Sequence, residues 1–330
     1  MKLSRRAVLA TAAGLPFAAR AAAPPFERLV VVLRENHSFD NYFAGFPGAD
    51  GQSGDPPCPD HVPDPPHNRA AALAGPVVRR KADQSLPGYC RYSEDRLPSY
   101  WAWAREFTLC DRYFAELLAP SVPNYFALMG AEAPELDNPS GRLEGRFDIP
   151  SVLDRLNAGG VSWRNYNGGI ALVSMFRAAM APGRLAPVEQ FIADAASGTL
   201  PAVSWVTSSL ADSEHPPYSV ARGEAWTARL VDALRASPLW PTTAVVIVWD
   251  EWGGFNDHVV PPHAGLASDG PVRLGFRVPC LVMGGRARRG YVSHRQYSHA
   301  SVVATICRRF ALRAVGDADR AANDLLDCFA

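Results

Sequence analysis

The stretch 29-LVVVLRENHSFDNYF-43 decides how this chain is read. Five consecutive apolar residues, Leu29 to Leu33, run without a turn residue into Arg34, Glu35, Asn36 and His37. A continuous apolar run of this length is the pattern of a strand covered on both faces. Its charged end marks either the point where the strand reaches the surface or an active site. The run 244-AVVIVWD-250 repeats the pattern and leads into Asp250-Glu251, and 202-AVSWVT-207 and 278-VPCLVM-283 supply further strands. Helical patterns lie between them, at roughly 97–106, 123–130, 150–158, 187–196, 222–236 and 298–310. Ser151 with Asp154 makes a capping start for one of them, and Gly159-Gly160 a stop. Strands alternating with helices predict a mostly parallel sheet in an α/β sandwich.

The 330 residues are 48% hydrophobic, enough for a substantial core in one large α/β domain or two smaller ones. Formal net charge is zero, so neither nucleic acid nor an anionic membrane surface is the default partner. Residues 1–23 read as a targeting segment: Arg5-Arg6, an Ala-rich apolar stretch to Ala19, then the small residues of 19-ARAAAPP-25. The apolar stretch is too short to span a bilayer, and the paired arginines resemble a twin-arginine export signal. An ordinary secretory signal or a retained anchor is the alternative. Export through the twin-arginine machinery predicts a periplasmic or secreted protein with no stable membrane anchor after cleavage. In that oxidising setting Cys58 is expected to pair with Cys90, and Cys307 with Cys328, leaving Cys110 and Cys280 as buried thiols. No C-x-x-C occurs, which argues against a zinc–thiolate or redox motif.

Polar groups gather next to strand and helix ends. In 119-APSVPNYF-126 a proline in the first helical turn puts Ser121 at or near the N-cap, where it either caps the helix or helps the helix end hold a phosphate-like anion. Adjacent Asp250-Glu251 are costly at a strand end unless solvated or neutralised, so they form an acidic surface turn or hold a cation. Asp257-His258 follow as a supporting pair, and His215 precedes two prolines. His67 lies in the Pro-, Gly- and Asp-rich segment 45–95, which is a surface excursion or a lid or pocket wall. Because open α/β sheets bind ligands at the carboxyl ends of their strands, Glu35, Asn36, Asp250 and Glu251 are placed to converge. An oxygen-rich set suits a hard or borderline divalent cation.

At 35-ENHSFDNYF-43, 107-FTLCDRYFAELLAPSVPN-124, 215-HPPYSVARGE-224, 250-DEWGGFNDHVVPP-262, 274-LGFRVPCLVM-283 and 298-SHASVVATICRRF-310 the chain resembles the bacterial phosphoesterases that include phospholipases C and related acid phosphatases. The resemblance implies an alkaline-phosphatase-like three-layer α/β/α sandwich, with residues 24–330 as one catalytic domain carrying 45–95 as an insertion. It also implies a divalent metal, of identity left open, on Glu35, Asn36, Ser121, Asp250 and Glu251. Ser121 would be the nucleophile, and His67 and His215 would face the phosphoryl group of a phosphate-ester substrate, phospholipids included; His258 joins the catalytic candidates. Departures from the family pattern at His37 and Asn41 point there for substrate preference, and Trp252 stands where relatives carry something smaller or polar. Trp101, Trp103, Tyr218 and Trp252 either line a lipid or aryl pocket or pack the core. The chain ends soon after residue 310, without room for the extra C-terminal domains of many lipase relatives, which makes an acid phosphatase or broad phosphodiesterase at least as well supported. A non-catalytic metal- or anion-binding relative is the alternative. A sulfatase is disfavoured because no C-x-P-x-R occurs.

Overall fold

The structure is a computed structural model that describes residues 25–74, 88–267 and 270–330, the side chains of 264–267 and 270–273 aside. The expected targeting segment, 1–23, and part of the expected 45–95 insertion lie outside the described residues. In chain order the elements are β1 (Arg28–Arg34), α1 (Phe39–Phe43), α2 (Arg69–Leu73), α3 (Pro98–Glu106), β2 (Thr108–Cys110), β3 (Tyr113–Phe114) and α4 (Ser121–Leu128). Next come α5 (Val152–Ala158), β4 (Trp163–Asn167), β5 (Leu185–Ala186), α6 (Val188–Ser197), β6 (Val203–Thr207), α7 (Val220–Ala236) and β7 (Thr243–Trp249). The chain closes with β8 (His263–Ala267), β9 (Gly270–Arg273), β10 (Cys280–Gly284), β11 (Tyr291–Ser293), β12 (Tyr297–Ser298), α8 (His299–Arg309) and α9 (Asp317–Ala321).

Eight strands form the central sheet in the order β11-β2-β10-β7-β1-β6-β4-β5. All neighbours run parallel except β10, which is antiparallel to both β2 and β7. The two apolar runs become the adjacent central strands β1 and β7, and β7 is buried along its whole length. The helices pack in two groups, α3 and α6 with α7, and α4, α5 and α9 with α8. The result is an α/β fold with a mostly parallel central sheet flanked by helices, as expected.

Register places the polar strand ends. Arg34 pairs with Trp249, so Glu35-Asn36 and Asp250-Glu251 leave the sheet side by side at the carboxyl edge. The Asp250 N–H donates to Arg34 O at 3.1 Å, which carries the ladder one residue past the strand. Loop 208–219, after β6, emerges on the other side of β1 at that same edge.

The helix ends bear out most expectations. The Ser151–Asp154 capping box is present and Gly159 ends α5. Ser121 lies next to the N-cap, as expected, but does not cap: Pro120 is the N-cap of α4 and Ser121 its first helical residue. The Val122 N–H is taken by Asn138 Oδ1 at 2.9 Å, and Pro123 has no N–H, so this helix end offers an anion fewer donors than expected.

Cys58 and Cys90 form a disulfide, while Cys110, Cys280, Cys307 and Cys328 are free and buried. The expected Cys307–Cys328 pair is therefore wrong. Cys307 lies in α8, whereas Cys328 Sγ sits 3.9 Å from Cys110 Sγ beside β2, a neighbourhood set by the sheet and not by nearness in sequence. The disulfide spans 32 residues of the loop-rich segment. Its replacement by Cys58→Ser with Cys90→Ser should cost about 3–4 kcal/mol in urea unfolding, since the cross-link restricts the unfolded chain. The other four cysteines should react with a thiol reagent only after unfolding.

Candidate active site

Three carboxylates meet at the β1–β7 edge with almost no water. Glu35 is 2% exposed, and Asp250 and Glu251 are fully buried. Asn36 lies between them with φ +58°, a left-handed conformation that Asn adopts more readily than most residues, and its N–H donates to Asp250 Oδ1 at 2.9 Å. Gly253 makes this approach possible, because a Cβ there would stand 2.1 Å from Asn36 O. The Ser121 hydroxyl, at the start of α4, donates to Asn36 Oδ1 at 3.4 Å and also faces the carboxylates of Glu35 and Asp250. The four metal ligands expected from two distant strand ends therefore converge with Ser121.

The cluster is short of positive charge. Burial, and then the Asp250 charge, push the Glu35 and Glu251 carboxyls well above their ordinary range, and burial also raises Asp250. Asp250 Oδ2, Glu251 Oε1 and Asn36 Nδ2 are buried without a hydrogen-bond partner among the described residues. Arg34, next in sequence to Glu35, is committed to Glu214. Buried orphan carboxylate oxygens converging with a hydroxyl are the donor set of a divalent cation, so the residues present fit one.

Two histidines border this pocket. His67 Nε2 lies 4.0 Å from Glu251 Oε1, and the His67 and His215 rings are 5.3 Å apart. Each Nδ1 faces a backbone carbonyl, Pro65 O at 2.7 Å for His67 and Pro216 O at 2.6 Å for His215. A carbonyl only accepts, so each Nδ1 donates to it and Nε2 is the ring nitrogen turned the other way. Asp64, His67 and His215 each offer a ligand atom within 4.8 Å of one another. The insertion supplies His67 and is fastened here: Asn256 N–H donates to Gly88 O, and Asn256 Nδ2 to Asp55 Oδ2.

His258 is placed differently. Its Nδ1 lies 2.6 Å from Asp40 Oδ2 and its Nε2 3.2 Å from Asp50 Oδ1. Buried Arg277 binds Asp40 and Asp257 and donates to the carbonyls of Asp50 and Asp111. The network ties α1 to the loop after β7. His37 and Asn41 are buried too. His37 donates to Glu214 O at 2.9 Å and stacks on Phe255, and Asn41 Nδ2 donates to Cys90 O. Burial drops the His37 pKa to about 3, so the two residues that depart from the family pattern are neutral packing groups and not a substrate surface. Trp252 is buried against Phe276, Trp101 and Trp103 are in the core, and Tyr218 alone of the four aromatics is exposed, at 39%.

Sequence reasoning missed several partners. Tyr125, one helical turn after Ser121, donates to Glu35. His299 donates from Nε2 to Asp250 O at 2.6 Å and fixes that strand end. The spacing of Ser121 and Tyr125 by four residues could have flagged a shared helix face.

The Phosphoesterase family profile matches residues 78–313. The chain is 26% identical over a 379-residue alignment to phospholipase C A of Mycobacterium tuberculosis, covering 87% of this chain and 73% of that protein. It is 32% identical over 273 aligned residues to phospholipase C B of the same species, covering 67% and 52%. Non-specific phospholipase C1 of Arabidopsis thaliana is 27% identical, covering 88% and 68%. Among solved structures, the lipoteichoic acid synthase LtaP from Listeria monocytogenes superposes with TM-score 0.53 at 10% identity, covering 92% and 77%. Murine ectonucleotide pyrophosphatase / phosphodiesterase 5 superposes with TM-score 0.51 at 9% identity, covering 92% and 100%. At such identities the structures speak to the fold alone, an α/β fold with a mostly parallel central sheet flanked by helices. Family match and fold together define a hydrolase acting on phosphoric ester bonds. The chain belongs to the Phosphoesterase family.

The Asp40 contact raises the His258 pKa, so the folded state holds that proton more tightly than the unfolded chain. The resulting stability is complete below the unfolded value near 6.5 and disappears as pH rises through the folded one. His258→Gln should therefore lose most stability relative to wild type below about pH 6 and progressively less above it, as read from urea midpoints across pH.

Proposed function

We propose that this chain is an exported, metal-dependent phosphoesterase in which Ser121 is the nucleophile. The observation that carries the reading is the dry cluster of Glu35, Asn36, Asp250 and Glu251, with orphan oxygens, around the Ser121 hydroxyl. A divalent cation held by those residues and Ser121 would supply Lewis acidity, lowering the pKa of the hydroxyl and offsetting negative charge.

The chain's own groups account for the rest. Ser121 Oγ bonds to phosphorus and loses its proton to water, while the bond from phosphorus to the leaving alcohol breaks. His215, its ring fixed through Nδ1, hands the alcohol a proton from Nε2. Water then adds to phosphorus and gives a proton to the imidazole, while the bond from phosphorus to Ser121 Oγ breaks and the serine oxygen takes back a proton from solvent. His67 sits across from it and orients a phosphoryl oxygen. Tyr125 and His299 hold Glu35 and the Asp250 backbone in place throughout.

The named relatives are phospholipases C, and their similarity supports phosphate esters, phospholipids included, as the substrate class. An acid phosphatase or broad phosphodiesterase is the competing specificity. Assays on p-nitrophenyl phosphate, p-nitrophenyl phosphorylcholine and phosphatidylcholine separate them. The paired arginines before the Ala-rich stretch support twin-arginine export to the periplasm or beyond. No helix among the described residues is long and apolar enough to cross a membrane.

Ser121→Ala should lower kcat by about 10^3-fold or more on the preferred substrate, and chelation should do the same to wild type. Full turnover by Ser121→Ala would overturn the reading. Glu251→Gln removes a buried carboxyl whose charged form burial and the Asp250 charge disfavour, so without metal it should be at least as stable as wild type at pH 7. Wild type should gain about 2.7 kcal/mol from cation at 100 times Kd, and Glu251→Gln much less at the same concentration.

A further inference from the structure

Outside the proposed metal site, one fully buried carboxylate joins the segments that build it. Glu214 Oε1 accepts from Arg34 Nε at 3.1 Å, Arg34 Nη2 at 2.9 Å and the Tyr100 hydroxyl at 2.5 Å. Its Oε2 accepts from the Tyr42 hydroxyl at 2.7 Å and from Trp249 Nε1 at 3.2 Å. The positions of these partners in the chain give the contacts their meaning. Arg34 is the last residue of β1, directly before Glu35-Asn36, and Trp249 is the last of β7, directly before Asp250-Glu251. Glu214 itself directly precedes His215. Its carbonyl accepts from His37, the residue after Asn36, and the neighbouring Ser213 carbonyl accepts from the Glu35 N–H at 3.2 Å.

The surroundings are shaped for this residue. Glu214 has φ +78°, a left-handed conformation uncommon for a side chain without local backbone bonding of its own. On α7, Gly223 leaves space for the pair, because a Cβ there would lie 2.3 Å from Glu214 Cγ and 2.6 Å from Arg34 Nη2. Both carboxylate oxygens accept, so the five hydrogen bonds that reach Glu214 each end on a matching acceptor, while Arg34 Nη1 finds no partner among the described residues.

We propose that Glu214 is a positioning residue whose carboxylate sets the relative placement of Glu35-Asn36, Asp250-Glu251 and the His215 ring, acting through the residue beside each. The role rests on the functional reading of that site. Glu214→Gln keeps the volume but turns one oxygen into a donor that must face other donors. The strand ends and the His215 loop then lose a shared reference.

The test titrates Mn2+ and, separately, Zn2+ into chelator-stripped full-length protein by calorimetry, and measures kcat and KM on p-nitrophenyl phosphate at saturating cation. Glu214→Gln should bind the cation about 10–100-fold more weakly and lose kcat on a similar scale, with KM changed little. Asp194→Asn is the structural control. Asp194 is another buried carboxylate, accepting from Arg164, Tyr166 and Gln190 on the β4–α6 side of the sheet. It should lower stability and leave cation affinity and kcat at wild-type values. If Glu214→Gln does not fold, Tyr42→Phe and Tyr100→Phe each remove one donor and should weaken cation binding several-fold in the same direction.

Wild-type cation affinity and kcat in Glu214→Gln, or in both tyrosine variants where it does not fold, would overturn the positioning role. An equal loss of affinity in Asp194→Asn would overturn it as well, since general destabilisation would then suffice. A wild type that takes up neither cation would overturn the functional reading, and the positioning role with it. A cation-binding wild type beside an unaffected Glu214→Gln overturns the positioning role alone.

Discussion

The fold depends at its functional end on a pair of parallel strands in one register. Arg34 beside Trp249 forces Glu35 and Asp250 out of the sheet together, with Glu251 behind them. Helices cover both strands, so the carboxylates leave the sheet into protein and not into water. Desolvating several like charges at once is among the most expensive arrangements a chain can adopt, and it survives only where something positive completes it. Tyrosine and backbone donors satisfy part of the demand. The orphan oxygens of Asp250 and Glu251 are the part left over.

Directly beneath, the same sheet edge holds the opposite solution. Arg34 and Glu214 are both fully buried, yet they pair with each other, Glu214 also accepting from aromatic hydroxyl and indole donors and Arg34 donating to the Asp212 carbonyl. A neutralised pair under an unneutralised cluster separates two tasks: the lower layer holds the strand ends still, and the upper layer is free to bind. Preorganised electrostatics of this type lowers barriers without rearrangement at the moment of reaction. The loop-rich segment adds His67 from outside the sheet, and the disulfide and the Asn256 contacts tie that segment down.

Much of this was legible in the sequence, for identifiable reasons. Two continuous apolar runs each ending in paired polar residues can be read directly, because strand register between parallel neighbours makes equivalent ends adjacent. Capping at Ser151 and the disulfide of Cys58 with Cys90 are local enough to infer. Contacts set by tertiary packing were not. Cys328 meets Cys110 through the order of strands, and the reversed direction of β10 has no signature in its composition. His37, next to Asn36 in sequence, and Asn41, in the short helix that follows, turn inward to a packed layer that one strand's pattern cannot reveal. Glu214 was passed over for the histidine beside it, since a lone acid in a loop carries no sign of the five donors around it.

The central claim is that Ser121 becomes covalently phosphorylated at a cation-dependent site. Acid quenching of wild-type protein during turnover of p-nitrophenyl phosphate, followed by peptide mass spectrometry, tests it most directly. The account predicts phosphate on the peptide containing Ser121, present with a divalent cation, absent after chelation, and lost once substrate is exhausted. Sustained turnover with no phosphate on Ser121, or with phosphate on another side chain, would contradict it.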